Sequence, residues 1–196
     1  MYVGNDIVDL SVLDQPHPRF ARRVMAPEEY ERYLASGQDA AFLWQTWSAK
    51  EAAYKLAKQK NAQTVFSPCR FVLDARKQTV SYEGESHAVS FEHDASYVFA
   101  YCSEGVDRVI NRVARREAFG PTESTAVRAL ASELLCSIFN LVKGDVSVAS
   151  DVYRRPHAIG PNGALPCVLS FSHHGGVVAV TVAAAGINRL IYRPQA

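Results

Sequence analysis

Apolar and polar positions alternate with period two at the start of the chain and shift to a helical period soon afterwards. Residues 1–10, MYVGNDIVDL, read as a strand with Tyr2, Gly4, Asp6, Val8 and Leu10 on one face. Residues 19–25 and 27–34 read as short helices, the second opened by Pro27 and two acids. A longer helix over 41–60 carries Leu43, Trp47 and Tyr54 in one stripe. From 65 to 103 the pattern shortens to strands: CRFVLDA, QTVSYE, HAVSFE and SYVFAYC. Pro121 and Thr122 open a further helix whose apolar positions Val127, Leu130, Leu134, Ile138 and Leu141 keep the helical period, with Lys143 and Gly144 as its end. Strands return at 146–152, 167–172 and 177–184, with Gly175-Gly176 as a hairpin turn.

The pattern repeats. AVSFEHDASYVFAYCSEG (88–105) is similar to VLSFSHHGGVVAVTVAAAG (168–186), which sets His93 against His173 eighty residues on. Upstream, SAKEAAYKLAKQ (48–59) stands at nearly the same offset from ASELLCSIFNLV (131–142). The expected fold is α+β, with two pseudo-repeated lobes, each a helix packed on a small antiparallel sheet. The lobes span 1–105 and 106–196, and the cleft between them is the expected ligand site.

Composition narrows the function. A formal net charge of +1 over 196 residues argues against a chain built to grip nucleic acid or an anionic membrane. Arg108, Arg112, Arg115 and Arg116 fall close to one helical face and read as a solvated helix, without the interleaved aromatics of a nucleic-acid binder. No apolar run is long enough to span a bilayer. The first residues lack the basic segment of a secretory signal. Cys69, Cys102, Cys136 and Cys167 are scattered, with no C-x-x-C pair, and read as buried free thiols in a reducing cytoplasm.

Four places carry candidate chemistry. Asp6 stands where the strand face calls for an apolar residue, which is costly unless the carboxylate is paired or bound to a cation; a cap or a lysine partner would serve equally. Asp9 points the other way and reads as a surface or capping acid. Glu51 falls inside the aromatic stripe of Trp47 and Tyr54, although Lys55 at i+4 and the adjoining Lys50 also allow a surface ion pair. SFSHHGG (170–176) puts hydroxyls and imidazoles at a strand end, and Arg154-Arg155-Pro156 sets two guanidiniums before a rigid residue, which suits phosphate recognition, although a solvated turn is the commoner meaning of either segment. Two carboxylates from a strand and a helix can hold a hard cation and leave room for a diphosphate and water. No Walker-type glycine loop is present. The parts suit displacement of one phosphoryl ester by another.

GNDIVDL (4–10) resembles the G-I-D-I-V-E-I signature of the holo-acyl-carrier-protein synthases, of the 4'-phosphopantetheinyl transferase superfamily. WSAKEAAYK (47–55) is close to the family's W-x-x-K-E-A-x-x-K motif, and LSFSHHGGVVAV (169–180) to its S-x-S-H segment. RFARRVMAPEEYERY (19–33) resembles the basic helix and acidic turn, and Arg154 to Pro156 stand where the family has G-K-P or G-R-P. No motif covers residues 75–145.

The resemblance implies a transferase that moves phosphopantetheine from coenzyme A to a serine of an acyl or peptidyl carrier protein. It implies Mg²⁺ on Asp6 and Glu51, Glu51 as base, Lys55 against the phosphates, and Ser172 with His173 on phosphate oxygens. Arg154 or Arg155 would meet the nucleotide end, and Arg19, Arg22 and Arg23 the acidic helix of an apo carrier protein. Asn5 replaces an isoleucine and Asp9 the usual glutamate. Val8 stands where larger two-lobed members place a third metal-binding acid. The chain exceeds the short synthases, which assemble as trimers, so the second lobe is expected to supply the neighbour and the protein to be a monomer. A non-catalytic carrier-binding module of the same fold is the alternative, although Asp6, Glu51 and Lys55 are all present.

Overall fold

The computed structural model describes residues 1–13, 17–106 and 108–184. Its elements, in chain order, are β1 (Tyr2–Asp9), α1 (Pro18–Val24), α2 (Pro27–Ala35), α3 (Ala40–Lys60), β2 (Val72–Asp74), β3 (Thr79–Tyr82), β4 (Glu85–Asp94), β5 (Tyr97–Glu104) and β6 (Val109–Arg115). They continue with α4 (Glu123–Phe139), β7 (Ser147–Ser150), β8 (Pro156–Gly160), β9 (Gly163–Ala164), β10 (Cys167–His174) and β11 (Val177–Ala184). The strands form antiparallel sheets in the orders β1-β5-β4-β3-β2, β10-β11-β6 and β7-β8-β9. No described helix is long and apolar enough to cross a membrane.

Each long helix covers one sheet. Ala49, Ala52, Ala53 and Leu56 of α3 bury against Leu73, Val80, Val89 and Cys102. Leu130, Leu134 and Ile138 of α4 bury against Leu169, Val180 and Val182. Ile7, Phe99, Val177 and Ala179 join the two sheets. The strands also share an offset: β5 and β11 begin at residues 97 and 177, and β4 and β10 end at 94 and 174. Ala100 faces Asp6 of β1, and Val180, eighty residues on, faces Arg112 of β6.

Residues 3–9 of β1 are all buried, because α3 lies on one face and the β10–β11 hairpin on the other. Gly4 permits the closeness of α3: a Cβ there would lie 2.0 Å from the Ala52 carbonyl oxygen and 2.6 Å from Leu56 N. Both are backbone atoms that cannot step aside. Gly4→Ala is therefore expected to cost at least about 2 kcal/mol, as overpacking of a core does, read as a lower denaturant midpoint; an unchanged midpoint would contradict this packing.

Three sequence expectations are corrected. Arg108, Arg112, Arg115 and Arg116 do not share one helix: 109–115 form β6, which pairs with the wholly buried β11 and puts Ile110 into the core, and Arg116 opens a three-residue 3-10 turn. Helix α4 ends at Phe139 rather than Lys143, because Asn140 turns left-handed (φ 52°) and breaks the ladder. Of the four free cysteines only Cys102 is buried, while Cys69 is exposed and the other two are half-buried.

Candidate functional site

Asp6 follows Gly4 on the face of β1 turned to α3, so the close approach at Gly4 brings that carboxylate against the helix. Lys55, one turn after Glu51, puts Nζ 3.1 Å from Asp6 Oδ1 and donates to the Asn5 carbonyl at 2.8 Å. Asp6 Oδ2 is buried with no hydrogen-bond partner among the described residues. Burial lifts the Asp6 carboxyl above its usual range, against the pull of Lys55. Glu51 is pushed up to about 7, by burial first and by Asp6, with Lys55 opposing. These two neighbouring carboxylates supply oxygen donors that could hold a cation.

Two cavities meet here. One, of about 330 Å³, is lined by Asp6, Glu51, Phe20, Trp44, Trp47 and both histidines. The other, of about 660 Å³, is lined by Asp6, Lys55, Lys58, Arg128, Arg154, Arg155, Ser172 and His173 among others. Asp6 and His173 line both.

Side chains stitch the β1 edge to β10. Asn5 N donates to Ser170 Oγ (3.0 Å), which donates to Asn5 Oδ1 (2.9 Å). Val3 N donates to Gln59 Oε1 (2.9 Å), and Gln59 Nε2 to the Leu169 carbonyl (2.9 Å). Asp9 N donates to His174 Nδ1 (3.1 Å). Strand alternation turns Ser170, Ser172 and His174 to one face and His173 to the other, where its Nδ1 lies 2.9 Å from Glu123 Oε2 of α4. Ser172 Oγ is buried and without a partner among the described residues, so it is available to a ligand.

The second arginine of the pair is held in place. Asp151 accepts from the amides of Tyr153 and Arg155 (both 2.9 Å) and from Arg155 Nε (2.7 Å), and these contacts hold its carboxyl below the usual range. Arg154 takes a left-handed φ of 63° in the same turn. Arg19, Arg22 and Arg23 are exposed on α1. The neighbouring Phe20 packs 5.3 Å from Trp44 and 5.4 Å from Trp47, at the smaller cavity.

Asp6, Glu51, Lys55, Ser172, His173, Arg154 and Arg155 thus gather around two adjoining cavities, whereas Arg19, Arg22 and Arg23 stand outside both. Asp9 is a cap, as read, but no surface residue: it is 1% exposed and accepts from Ser11 N (3.0 Å) and Gly176 N (2.8 Å). Lys50 is not a local partner of Glu51; it is fully buried on Glu29 of α2. Sequence reasoning missed Arg128, which donates to the Ser124 carbonyl (3.1 Å) and to Ser150 Oγ (3.2 Å) at the larger cavity. One arginine on a mostly apolar helix gives no signal. It missed Glu123, and it named His174 only within the 170–176 segment without its tie to Asp9, because these partners are remote in sequence.

The family model described as "4'-phosphopantetheinyl transferase superfamily" matches residues 2–102, which include Asp6, Glu51 and Lys55 but not the Ser172–His173 segment. A holo-[acyl-carrier-protein] synthase of Mycoplasmopsis pulmonis is 27% identical over 99 residues, 50% of this chain and 85% of that protein. Synthases of the same name from Hydrogenovibrio crunogenus and Edwardsiella ictaluri are 35% and 37% identical over 57 residues, 27% of this chain. The chain spans 45% of the length of each of those two. A crystal structure of Thermotoga maritima holo-[acyl-carrier-protein] synthase aligns with a TM-score of 0.36 at 16% identity, covering 61% of this chain and 79% of that one.

Proposed function

The chain belongs to the 4'-phosphopantetheinyl transferase superfamily, and from that premise we propose that it moves the 4'-phosphopantetheine group of coenzyme A onto a serine of an acyl or peptidyl carrier protein. The observation that carries the reading is the cluster of buried Asp6 with half-buried Glu51 and Lys55 where two cavities meet, inside the segment that matches the family.

Asp6 and Glu51 would hold Mg²⁺. The fit rests on the unpartnered Asp6 Oδ2 and on burial that disfavours both carboxylates when nothing neutralises them. When bound, the ion supplies charge neutralisation at the diphosphate. Lys55 adds positive charge on the same side. Glu51 accepts the proton of the carrier serine as its oxygen attacks the phosphorus next to the pantetheine. The bond to the second phosphate then breaks, and adenosine bisphosphate leaves with the electron pair. Ser172 and His173 would bind phosphate oxygens, and Arg154 and Arg155 the nucleotide end. The exposed Arg19, Arg22 and Arg23 would meet the acidic helix of the apo carrier protein, beside the aromatic cavity that admits its serine.

The two-lobe reading, 1–105 and 106–196, is supported by the shared eighty-residue offset of the two hairpins. In the second lobe Arg112 occupies the register of Asp6, which favours one site per chain and a monomer. A cytoplasmic enzyme fits these substrates. Calorimetric titration with coenzyme A is expected to show one site per chain, tightened by Mg²⁺, on a protein that sizes as a monomer. Absence of coenzyme A binding with Mg²⁺ present would sink the reading, and a trimer would sink the internal-lobe part of it.

A further inference from the structure

His173 and His174 are adjacent, yet their Nδ1 atoms meet groups of opposite polarity. His174 Nδ1 lies 3.1 Å from the backbone amide of Asp9. An amide can only donate, so this nitrogen holds a lone pair and the neutral ring carries its proton on Nε2. His173 Nδ1 lies 2.9 Å from a carboxylate oxygen of Glu123. A carboxylate only accepts, so this nitrogen carries the proton.

The amide beneath His174 is firmly fixed. The Asp9 carboxylate accepts from Gly176 N at 2.8 Å and from Ser11 N at 3.0 Å, tying the end of β1 to the turn that follows the two histidines. Gly175 fits there at φ 55° only because it lacks a side chain; a Cβ would lie 2.8 Å from Asp9 Oδ2. The ring of His174 lines the smaller cavity together with Asp6 and Glu51.

We propose that the adjacent histidines are locked in opposite tautomers, and that His174 is a fixed Nε2–H donor to a phosphoryl oxygen of the substrate between Asp6 and Glu51. The lock rests on the contacts above alone, while the donor role rests on the transfer reaction proposed for the site. A ring whose Nε2 already bears hydrogen, and whose Nδ1 is engaged by an amide, takes no proton from the serine, which leaves that task to Glu51. The adjacent His173 differs in kind: its partner is a side chain that substitution can remove.

Nitrogen-15 NMR of the imidazoles in the full-length wild-type protein near neutral pH tests the lock, with the His174→Gln spectrum giving the assignment. The expected pattern is N–H at Nε2 for His174 and at Nδ1 for His173. A proton on Nδ1 of His174 would overturn the proposal whatever the activity. The donor role is tested by two variants in carrier-loading assays. Glutamine keeps an N–H near the position of Nε2, so His174→Gln is expected to keep turnover within about threefold. His174→Leu is expected to lose about 10- to 100-fold, the loss of a hydrogen bond to a charged oxygen. Equal turnover in both variants, whether high or low, overturns the donor role. A wild-type protein that loads no carrier at all overturns the transfer reading, and the tautomers stay measurable.

Discussion

Glu51→Gln is expected to lower phosphopantetheine transfer by about 1,000-fold, within the range for loss of a general base, while the protein stays folded. The amide keeps the size of the side chain but can neither take the serine proton nor bring a negative charge to Mg²⁺. Stability should move the other way. Burial raises the carboxyl from 4.5 to about 7, so between those values the folded state holds a proton that the unfolded chain has released. The resulting stability is complete below the unfolded value and is lost as pH rises through about 7. The metal-free variant is therefore expected to melt at or above the wild-type temperature at pH 8 and level with it near pH 5. In the wild type, transfer should rise with pH through an apparent value at or below about 7, moving lower as Mg²⁺ is raised, because a cation favours the charged carboxylate. Near-normal turnover in Glu51→Gln would remove both the base and the metal assignment.

Much of this site is legible in the sequence because its parts lie on elements with strong periods. The alternation of MYVGNDIVDL puts Asp6 with Gly4 on the helix-facing side of β1, and the Trp47–Tyr54 stripe carries Glu51 inward. Other parts depend on partners far along the chain. Arg108, Arg112, Arg115 and Arg116 have near-helical spacing, yet pairing with the buried β11 makes 109–115, with Arg112 and Arg115, a strand. Strand β8 is hidden by Pro156 at one end and Gly160 at the other, which leave too few residues to alternate. The tie from Asp9 to His174 crosses 165 residues, and no local pattern announces it.

The buried pair Lys50–Glu29 carries the second large expected effect. Lys50 and Glu29 are 0% and 1% exposed. The ammonium donates to Glu29 Oε2 and to the carbonyls of Val24 (2.7 Å) and Pro68 (3.1 Å), joining three segments at the residue before Glu51. Glu29 in turn accepts from the amides of Ala26 and Leu73, both at 2.6 Å. Burial pulls the Lys50 ammonium below its usual range, opposed by Glu29. Lys50→Met leaves a carboxylate buried without its cation, which costs about 3–5 kcal/mol. A chain of this length then melts roughly 6–20 °C lower. Adding Glu29→Gln removes the stranded charge but sets its NH2 against the backbone amide of Ala26 or Leu73, and is expected to restore part of the loss. A double variant no more stable than Lys50→Met would show that the pair does not act as a unit. Because the pair ties α1 and α2 to α3, its loss should also loosen the helix that carries Arg19, Arg22 and Arg23.

This chain is expected to transfer phosphopantetheine to a carrier protein. The most direct test is the intact mass of an apo acyl carrier protein after incubation with the protein, coenzyme A and Mg²⁺, with and without EDTA. The expected result is a gain of one phosphopantetheine group that EDTA abolishes. An unchanged mass across fatty-acid, polyketide and peptidyl carriers, from a protein that still binds coenzyme A, would contradict it and leave a carrier-binding module of the same fold.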